Sequence, residues 1–402
     1  MTPTEALPDA ALDVGPLAAF GLTPEQESFR AMLREFVTKE IKPLADEAEQ
    51  RREFPREVLP LLAERGLIGL KYRVEDGGQG GTILDECLLT EELTRAAAGL
   101  SAGVFAHSHL GIAPILHFGT DRLRDKYARP ALEGRLIAGF GLTEPAAGSD
   151  VQGIQTRARR DGDHYVLDGS KVYITNGTIA DYLVVAAYTA PGEGTKGISL
   201  FVVETNLPGI TRNPLRKLGN WSSDTAEIFL DGVRVPAENR VGPEAGGFRQ
   251  LMRTLTEGRI IVSTRGLALA EDAYERALAY AHQRSAFGRG IGQYQAVSHK
   301  LARAAVDIDA ARLLIHRAAH LYMAGQECSV EASKAKYFAT TVAQRVTTDA
   351  VHILGGAGYM AEFEVERLYR DAPESLIGEG TADIQLRVIA GSLGLRDEPR
   401  IP

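Results

Sequence analysis

Apolar positions between residues 23 and 70 recur at the spacing of a helix. Leu33 and Phe36, for example, lie three positions apart within a longer run of this kind. Thr23 precedes a proline and lies three residues before Gln26, which is the pattern of a capping box that begins a helix. Further helical patterns occupy residues 84–95, 110–118 and 121–132. The first part of the chain is therefore predicted to be helical.

A different pattern begins after Gly134. Short apolar segments rich in β-branched and aromatic residues lie between closely spaced turns, which is typical of strands. Strands are predicted within residues 164–174, 182–188, 198–203 and 227–236. We interpret Asp168–Gly169 as a turn between two strands. The middle of the chain is predicted to form a small antiparallel sheet domain.

Helical spacing returns after Gly247 and continues to the end. Residues 297–323 keep apolar side chains near one face, as in a helix of a bundle. A second long helix is predicted at 329–354, with Ser329 as its N-cap. The fold class is therefore α+β. The predicted divisions are a flexible leader at 1–21, a helical domain at 22–137, a β-domain at 138–243 and a helical domain at 244–402.

Composition and charge exclude some classes of function. The chain has 402 residues, of which 44% are hydrophobic, and this is enough to bury large cores. The formal net charge of −8 argues against a general nucleic-acid-binding protein, which needs a basic face. A small polyanionic ligand is compatible with this charge, because a local basic patch is sufficient to bind it.

Cysteine and histidine usage indicates neither a disulfide nor a metal site. Cys87 and Cys328 are the only cysteines, and buried, unreactive thiols are the favoured interpretation. The nine histidines show no spacing typical of metal ligands. We find no apolar run that approaches the length of a membrane span, and the first twenty residues contain no Lys or Arg. A cytoplasmic protein is the simplest expectation.

Two segments in the middle of the chain carry the most specific chemistry. The segment Gly141-Leu-Thr-Glu-Pro-Ala-Ala-Gly-Ser-Asp-Val151 and the segment Lys171-Val-Tyr-Ile-Thr-Asn-Gly177 combine hydroxyls, an aromatic side chain and glycines beside predicted strands. Such loops can offer N–H and hydroxyl donors to a ring system and its phosphates. Together the two segments resemble the flavin-binding loops of the acyl-CoA dehydrogenase family. Neither a P-loop nor a Rossmann fingerprint occurs in its required context.

A third segment, Arg284-Ser-Ala-Phe-Gly288, resembles the family motif R-x-x-F-G, and Gln295 matches the glutamine that follows it. In the family these residues reach the FAD of a neighbouring subunit, so the resemblance implies a homotetramer built from two dimers. It also implies a C-terminal four-helix bundle. The FAD-binding residues that it implies are Phe140, Leu142, Thr143, Ser149, Tyr173, Thr175, Arg284, Phe287, Gln295, His352, Gly355, Gly356 and Thr381.

Some of these residues carry individual roles by resemblance. Leu142 and Thr143 line the flavin ring, Ser149 lies near the pyrophosphate, Tyr173 covers one ring face, and Thr175 bonds the ring edge. His352 stands where relatives often have glutamine, so that contact would depend on pH near neutrality.

The segment Ile377-Gly-Glu-Gly-Thr381 resembles the part of the family that carries the catalytic glutamate. Glu379 matches the general base, and Ser149, Glu379 and Gly380 are the implied substrate-binding residues. A base is required because the Cα–H of an acyl thioester is a weak acid. Burial against flavin and acyl chain is expected to raise the pKa of Glu379.

Two glycines depart from patterns seen in the family. Some relatives carry the base immediately before an arginine on an earlier helix, but here that position is Gly258. Gly378 stands where many relatives carry tyrosine, which removes one wall beside Glu379. Both departures are compatible with a branched or bulky acyl group.

The resemblance implies a FAD-dependent acyl-CoA dehydrogenase of fatty acid metabolism, which oxidises an acyl-CoA to the trans-2-enoyl-CoA as in β-oxidation. Glu379 would take the pro-R α proton, the β hydride would pass to flavin, and electrons would leave through an electron-transfer flavoprotein. The alternatives on the same fold are an acyl-CoA oxidase, an acyl-carrier-protein dehydrogenase and a non-catalytic assembly relative. A flavin monooxygenase is disfavoured because its chemistry does not need the carboxylate.

Overall fold

Helices form both ends of the chain and strands form its middle in the computed structural model, which describes residues 21–395. This confirms the predicted order of a helical, a strand-rich and a second helical part. The apolar core of the N-terminal helices continues onto one face of the sheet, through side chains such as Val184 and Val202. Val185 and Val203 lie on the opposite face, as the alternation of side chains along a strand requires.

The N-terminal part begins with the predicted capping box. Thr23 Oγ1 accepts from the Gln26 N–H at 3.3 Å, and Gln26 Oε1 accepts from the Thr23 N–H at 3.0 Å. The α-helices are α1 (Pro24–Phe36), α2 (Lys42–Arg51), α3 (Val58–Glu64), α4 (Ile83–Ala96), α5 (Ala98–Phe105), α6 (Ala113–Phe118), α7 (Asp121–Leu123) and α8 (Arg129–Leu132). Wider π-helical turns occupy Val37–Ile41, Ala106–Ile112 and Arg124–Ala128, and a 3₁₀ turn occupies Val74–Asp76.

One helical stretch, Ala98–Phe118, is long and apolar enough to cross a membrane by length and composition alone. The prediction that no apolar run approaches the length of a membrane span is wrong by this criterion, because His107 and His109 lie among the apolar residues of the stretch. Its most apolar window is 94% buried inside the protein. His107 packs there with its Nε2 3.0 Å from the Ala131 carbonyl, and its Nδ1 accepts from the Ala138 N–H at 3.0 Å. The stretch has the burial of a core helix in a folded protein.

The sheet is mixed rather than purely antiparallel. Its strands are β1 (Ala138–Gly141), β2 (Arg157–Asp161), β3 (His164–Thr175), β4 (Tyr182–Tyr188), β5 (Ile198–Glu204), β6 (Ile210–Pro214), β7 (Thr225–Pro236) and β8 (Arg240–Val241). They lie in the order β6-β7-β3-β2-β4-β5-β8, and β1 joins through β4. The pairs β1–β4 and β2–β4 are parallel and the others are antiparallel. Turns at Val151–Gly153, Gly194–Gly197 and Ala237–Asn239 are 3₁₀-helical.

The interpretation of Asp168–Gly169 as a turn is wrong. Both residues lie inside β3, and the ladder to β7 continues on either side of them with one irregularity. A Cβ at Gly169 would overlap Thr156 beside the strand. The glycine therefore permits a close approach of backbone rather than a reversal of the chain.

The C-terminal part consists of long helices. They are α9 (Gly247–Gln283), α10 (Gln295–Met323), α11 (Ser329–Leu354), α12 (Val365–Ile377) and α13 (Ala382–Ser392). A short hairpin of β9 (Ser285–Ala286) and β10 (Arg289–Gly290) precedes α10, and 3₁₀ turns occupy Ile291–Gln293, Gly355–Tyr359 and Ala361–Phe363. Helix α11 packs against α9, α10, α12 and α13. The cap of α11 is Cys328 rather than Ser329. Both cysteines are free and buried, as predicted.

Candidate active site

The short turn between α12 and α13 holds Glu379 in an unusual backbone conformation. Glu379 has a φ of 54° and Gly380 a φ of 86°. The left-handed conformation costs a non-glycine residue on the order of 1–3 kcal/mol, so contacts around the turn must maintain it. The Gly380 carbonyl accepts from Lys336 Nζ and from Gln385 Nε2, each at 2.8 Å. Gln385 Nε2 also lies 3.3 Å from the Glu379 carbonyl.

The carboxylate of Glu379 faces α9 at Gly258. A Cβ placed on Gly258 would lie 2.9 Å from Glu379 Oε2 and 3.3 Å from Cζ of Phe105. Position 258 therefore borders the carboxylate directly, and the absence of a side chain there makes room for it. Glu379 Oε2 is shielded from solvent and has no hydrogen-bond partner among the described residues. A shielded carboxylate oxygen without a partner is free to accept a proton from a bound molecule.

Burial raises the pKa of Glu379 to about 7. Desolvation is the largest cause, because it penalises the charged carboxylate. The charges of Lys336 and Arg259 oppose this shift, whereas Glu374 adds to it. A carboxyl group with a pKa near neutrality suits proton transfer at physiological pH.

The neighbouring Glu374 fills part of the space beside Gly378. A Cβ at Gly378 would lie 2.5 Å from Glu374 Oε1. The same carboxylate lies 3.0 Å from a guanidinium nitrogen of Arg265 and 3.3 Å from Asn220 Nδ2. The wall that Gly378 leaves open is therefore occupied in part by an anchored carboxylate.

The two predicted loop segments lie against one another. The Val172 N–H donates to the Thr143 carbonyl at 2.9 Å. Lys171 is fully buried, and its Nζ lies 3.1 Å from the Leu142 carbonyl and 2.7 Å from Glu144 Oε1. Glu144 Oε1 also accepts from the Thr156 N–H at 3.0 Å. The backbone of 142–144 is thus fixed by β3 and by Thr156, the residue before β2.

Tyr173 projects from β3 into solvent. Its side chain is 70% exposed and its φ is 61°, at an irregularity of the ladder between Lys171 and Ile174. An exposed tyrosine at positive φ is an outlier of the kind that collects at functional sites. Thr143 and Thr175 are partly exposed nearby in sequence, and Ser149 is exposed. Phe140 is partly buried at the end of β1.

A second group of predicted residues lies on the surface of the C-terminal part. Phe287 is 97% exposed at the tip of the β9–β10 hairpin, and Arg284 and Gln295 beside it are exposed. His352 is exposed near the end of α11. Gly355 has a φ of 62°, and a Cβ on it or on Gly356 would meet nothing within 4 Å. None of these residues makes a hydrogen bond or ring contact with 141–151 or Tyr173 within residues 21–395.

Thr381, the last predicted contact, is the N-cap of α13. Its Oγ1 accepts from the Ile384 N–H at 3.3 Å. The hydroxyl hydrogen is not used in that bond and can be donated to another group.

Three features of the candidate site were not predicted from the sequence. They are the buried pair of Lys171 and Glu144, the ammonium of Lys336 under the Glu379 turn, and Phe105 beside Gly258. A signal existed for Lys336, because it lies four residues after Ala332 and three before Ala339 on the buried face of α11.

These residues fit a flavin dinucleotide. The loop at 141–151 carries the partly exposed hydroxyl of Thr143 and the exposed hydroxyl of Ser149, and β3 carries the exposed ring of Tyr173. Glycines without Cβ atoms leave open space at 355–356. Arg284 offers a forked cation of the kind that binds pyrophosphate. The described residues also include a buried carboxyl group whose pKa suits proton transfer, that of Glu379.

Comparison with known protein families gives matches along nearly the whole chain. Models of the acyl-CoA dehydrogenase N-terminal, middle and C-terminal domains match residues 23–135, 139–233 and 245–394. The short-chain specific acyl-CoA dehydrogenase of Clostridium acetobutylicum is 40% identical over 375 residues, which are 93% of this chain and 99% of that protein.

Solved structures give the same match. Butyryl-CoA dehydrogenase from Megasphaera elsdenii superimposes with a TM-score of 0.89 and 39% identity, over 93% of this chain and 99% of that one. A chain in the structure of the electron transferring flavoprotein of Acidaminococcus fermentans superimposes with a TM-score of 0.90 and 39% identity. That match covers 94% of this chain and all of the other.

Proposed function

The chain belongs to the acyl-CoA dehydrogenase family of FAD-dependent enzymes, and from this premise we propose that it converts a short acyl-CoA to the trans-2-enoyl-CoA with Glu379 as the base. The observation that carries the proposal is the shielded, unpartnered Oε2 of Glu379 beside Gly258. It is an acyl-CoA dehydrogenase of the butyryl-CoA dehydrogenase type.

Glu379 takes the pro-R proton from Cα of the thioester. The Cα–H bond breaks, its proton moves to a carboxylate oxygen, and its electrons become the second bond between Cα and Cβ. A positioned base of this kind contributes about 10²–10⁴ in rate. The Glu379 N–H donates to the thioester oxygen, where negative charge develops as the proton leaves. Ser149 and Gly380 contribute to the same binding site.

When bound, FAD supplies the acceptor for the hydride that leaves Cβ. In this proposal Phe140, Leu142, Thr143 and Thr175 would hold the ring, and Tyr173 would cover it. Ser149 would bind toward the pyrophosphate, and Thr381 would contact the flavin from the turn after Glu379. Support comes from the fixed backbone of 142–144 and from the exposed ring of Tyr173.

The surface group serves the FAD of a neighbouring subunit. Its members are Arg284, Phe287, Gln295, His352, Gly355 and Gly356. The large exposed apolar side chains of Phe287 and Tyr359 support a subunit interface there, because such residues are costly to leave in water. The assembly proposed is a homotetramer made of two dimers in the cytoplasm. Light scattering of the purified protein measures the subunit number.

A short acyl chain is proposed because Phe105 approaches the space beside Glu379. The relative from C. acetobutylicum is named short-chain specific, and the structural match from M. elsdenii is a butyryl-CoA dehydrogenase. Electrons are proposed to leave through an electron-transfer flavoprotein, in line with the match to a chain in the A. fermentans structure.

The test is an anaerobic titration of the purified holoenzyme with acyl-CoAs of four to twelve carbons, about one equivalent at a time. Butyryl-CoA is expected to bleach the visible flavin band, and Glu379→Gln is expected to bind it without bleaching. Bleaching that survives in Glu379→Gln contradicts the assignment of the base. Turnover only on a carrier-protein thioester, or rapid reoxidation by oxygen, would replace the proposal with the corresponding dehydrogenase or oxidase.

A further inference from the structure

A buried lysine of α11 lies beneath the turn that carries Glu379. Lys336 is fully buried, and its Nζ lies 2.8 Å from the Gly380 carbonyl and 3.1 Å from the Ser375 carbonyl. Ser375 belongs to the last turns of α12, and Gly380 directly follows Glu379. One ammonium group therefore joins the two ends of this turn.

The backbone conformation of the turn is unfavourable by itself. Glu379 and Gly380 are both at positive φ, and glycines on either side of Glu379 leave the backbone free to rotate. Gln385 of α13 supplies the only other side-chain donor to these carbonyls among the described residues, and it is also fully buried. The position of the Glu379 carboxylate therefore depends on donors from two neighbouring helices.

Lys336 also sets part of the charge around Glu379. The charged groups that face Glu379 are Lys336 from α11, Arg259 and Arg265 from α9, and Glu374 from α12. Lys336 is the one among them that hydrogen-bonds the turn itself. Burial lowers the pKa of Lys336 to about 8, with Glu374 and Glu379 opposing the shift, so the ammonium form persists at pH 7.

We propose that Lys336 is a positioning residue for proton abstraction, which holds the Glu379 turn through the carbonyls of Ser375 and Gly380 and stabilises the carboxylate form of Glu379. The proposal rests on the assignment of Glu379 as the base. A lysine that only tied α11 to α12 would affect folding and leave the titration of Glu379 unchanged. The two roles are therefore distinguishable by a pH profile.

The test compares Lys336→Met and Lys336→Arg with the wild-type holoenzyme. Lys336→Met keeps most of the volume but removes the charge and both hydrogen bonds. We expect kcat to fall by about 10- to 100-fold, because a misplaced reacting group loses roughly this much, while KM changes less. The acidic limb of the kcat profile is expected to move up by about one pH unit, since loss of a neighbouring cation raises the pKa of a carboxyl group. Lys336→Arg should restore the limb toward its original pH.

Thr347→Val is the matched control. Thr347 is buried on the same helix, three turns away, and its hydroxyl donates to the Ala343 carbonyl at 2.8 Å. This variant loses a buried hydrogen bond of α11 without touching the Glu379 turn. Its kcat and pH profile are expected to match the wild type.

An unmoved acidic limb in Lys336→Met, or a kcat within twofold of the wild type, would overturn the proposal. If Lys336→Met does not fold, Gln385→Leu gives the second arm. It should lower kcat about tenfold while leaving the acidic limb in place, because an amide carries no charge. An unchanged kcat in that variant overturns the positioning of the turn. Glu379→Gln is measured in parallel to distinguish failure of the Lys336 proposal from failure of the proposed function. Full activity of Glu379→Gln would refute the assignment of Glu379 as the base, on which the role of Lys336 depends.

Discussion

Replacement of Lys171 by methionine tests whether a buried ion pair holds the loop at 142–144. Lys171 Nζ lies 2.7 Å from Glu144 Oε1, and both side chains are almost completely buried. Desolvation opposes ionisation of Glu144. The pKa of Glu144 nevertheless stays below its usual value, because Lys171 contributes its charge and a hydrogen bond and the N–H groups of Gln155 and Thr156 also donate to the carboxylate. Desolvation also lowers the pKa of Lys171 to about 8, so both groups are charged between pH 5 and 7.

The size of the effect follows from the carboxylate that the variant leaves behind. At 2.7 Å the attraction between the charges is about 6 kcal/mol for an effective dielectric constant of ~20, before desolvation is subtracted. Without Lys171, Glu144 can avoid a buried charge by binding a proton. At pH 7 this costs about 3.7 kcal/mol for a group whose unfolded pKa is near 4.3. We therefore expect Lys171→Met to lower the free energy of unfolding by about 3–4 kcal/mol, within the range for broken buried pairs.

The sign of the pH dependence is a sharper check. In Lys171→Met the folded-state pKa of Glu144 is raised above the unfolded value, so the folded variant loses stability as pH rises. In the wild type the folded-state pKa of Glu144 is lowered, and the contribution of Glu144 to the free energy of unfolding is fully present from pH 5 to 7. The deficit of the variant should therefore shrink by up to about 1.4 kcal/mol for each pH unit between 7 and 5.

The assay is urea unfolding followed by circular dichroism, at one protein concentration and at pH 5, 6 and 7, with flavin content read from the visible spectrum. Lys196→Met is the control, because Lys196 is exposed in a turn of the same domain and its loss should change stability by less than about 0.5 kcal/mol. A deficit under about 1 kcal/mol at pH 7, or one that stays constant down to pH 5, would refute this reasoning.

Three further predictions concern the surroundings of Glu379. Because burial raises the pKa of Glu379 to about 7 and only the carboxylate accepts a proton, kcat/KM should fall below pH 7. A midpoint of the kcat/KM profile below about pH 5.5 contradicts this. Gly258→Ala should lower kcat by roughly 10- to 100-fold with the fold intact, since the new Cβ displaces the carboxylate, whereas Gly391→Ala, with open space around it, should not. Phe105→Leu should shift kcat/KM toward longer acyl-CoAs by about tenfold for each methylene that the pocket newly accommodates. An unchanged preference would place the end of the acyl pocket elsewhere.

The sequence predicted helices better than strands, for a local reason. The capping box at Thr23 and the extent of α11 depend on neighbours in the chain, which a single sequence displays. The error at Asp168–Gly169 arose because the same dipeptide suits both a hairpin turn and a strand position where another segment of backbone approaches closely. Only the position of Thr156, brought beside β3 by the sheet, distinguishes the two. The parallel pairing of β1 with β4 is likewise a property of the assembled sheet.

In the candidate site, too, local sequence motifs were predictable and long-range contacts were not. The segments 141–151 and 171–177 and the turn at Glu379 were recognisable because their residues are contiguous. The groups that support them are not: Lys171 and Glu144 are 27 residues apart, and Lys336 is 44 residues from Gly380. On a linear sequence Lys171 resembles an ordinary solvated cation, and only the helical spacing of Lys336 with Ala332 and Ala339 indicates that Lys336 is buried. The contacts that both lysines make become visible only in the folded chain.

The backbone at Glu379 explains why such remote support is needed. A base on a regular helix has its direction set by the helix, whereas Glu379 lies between two glycines in a turn at positive φ. That arrangement gives up the local rigidity of a helix. Neighbouring helices supply the missing rigidity. Helix α9 borders the carboxylate at Gly258, and the buried side chains of Lys336 and Gln385 donate to the Gly380 carbonyl. Activity should therefore be more sensitive to these buried contacts than stability is, because the turn can move without unfolding the bundle.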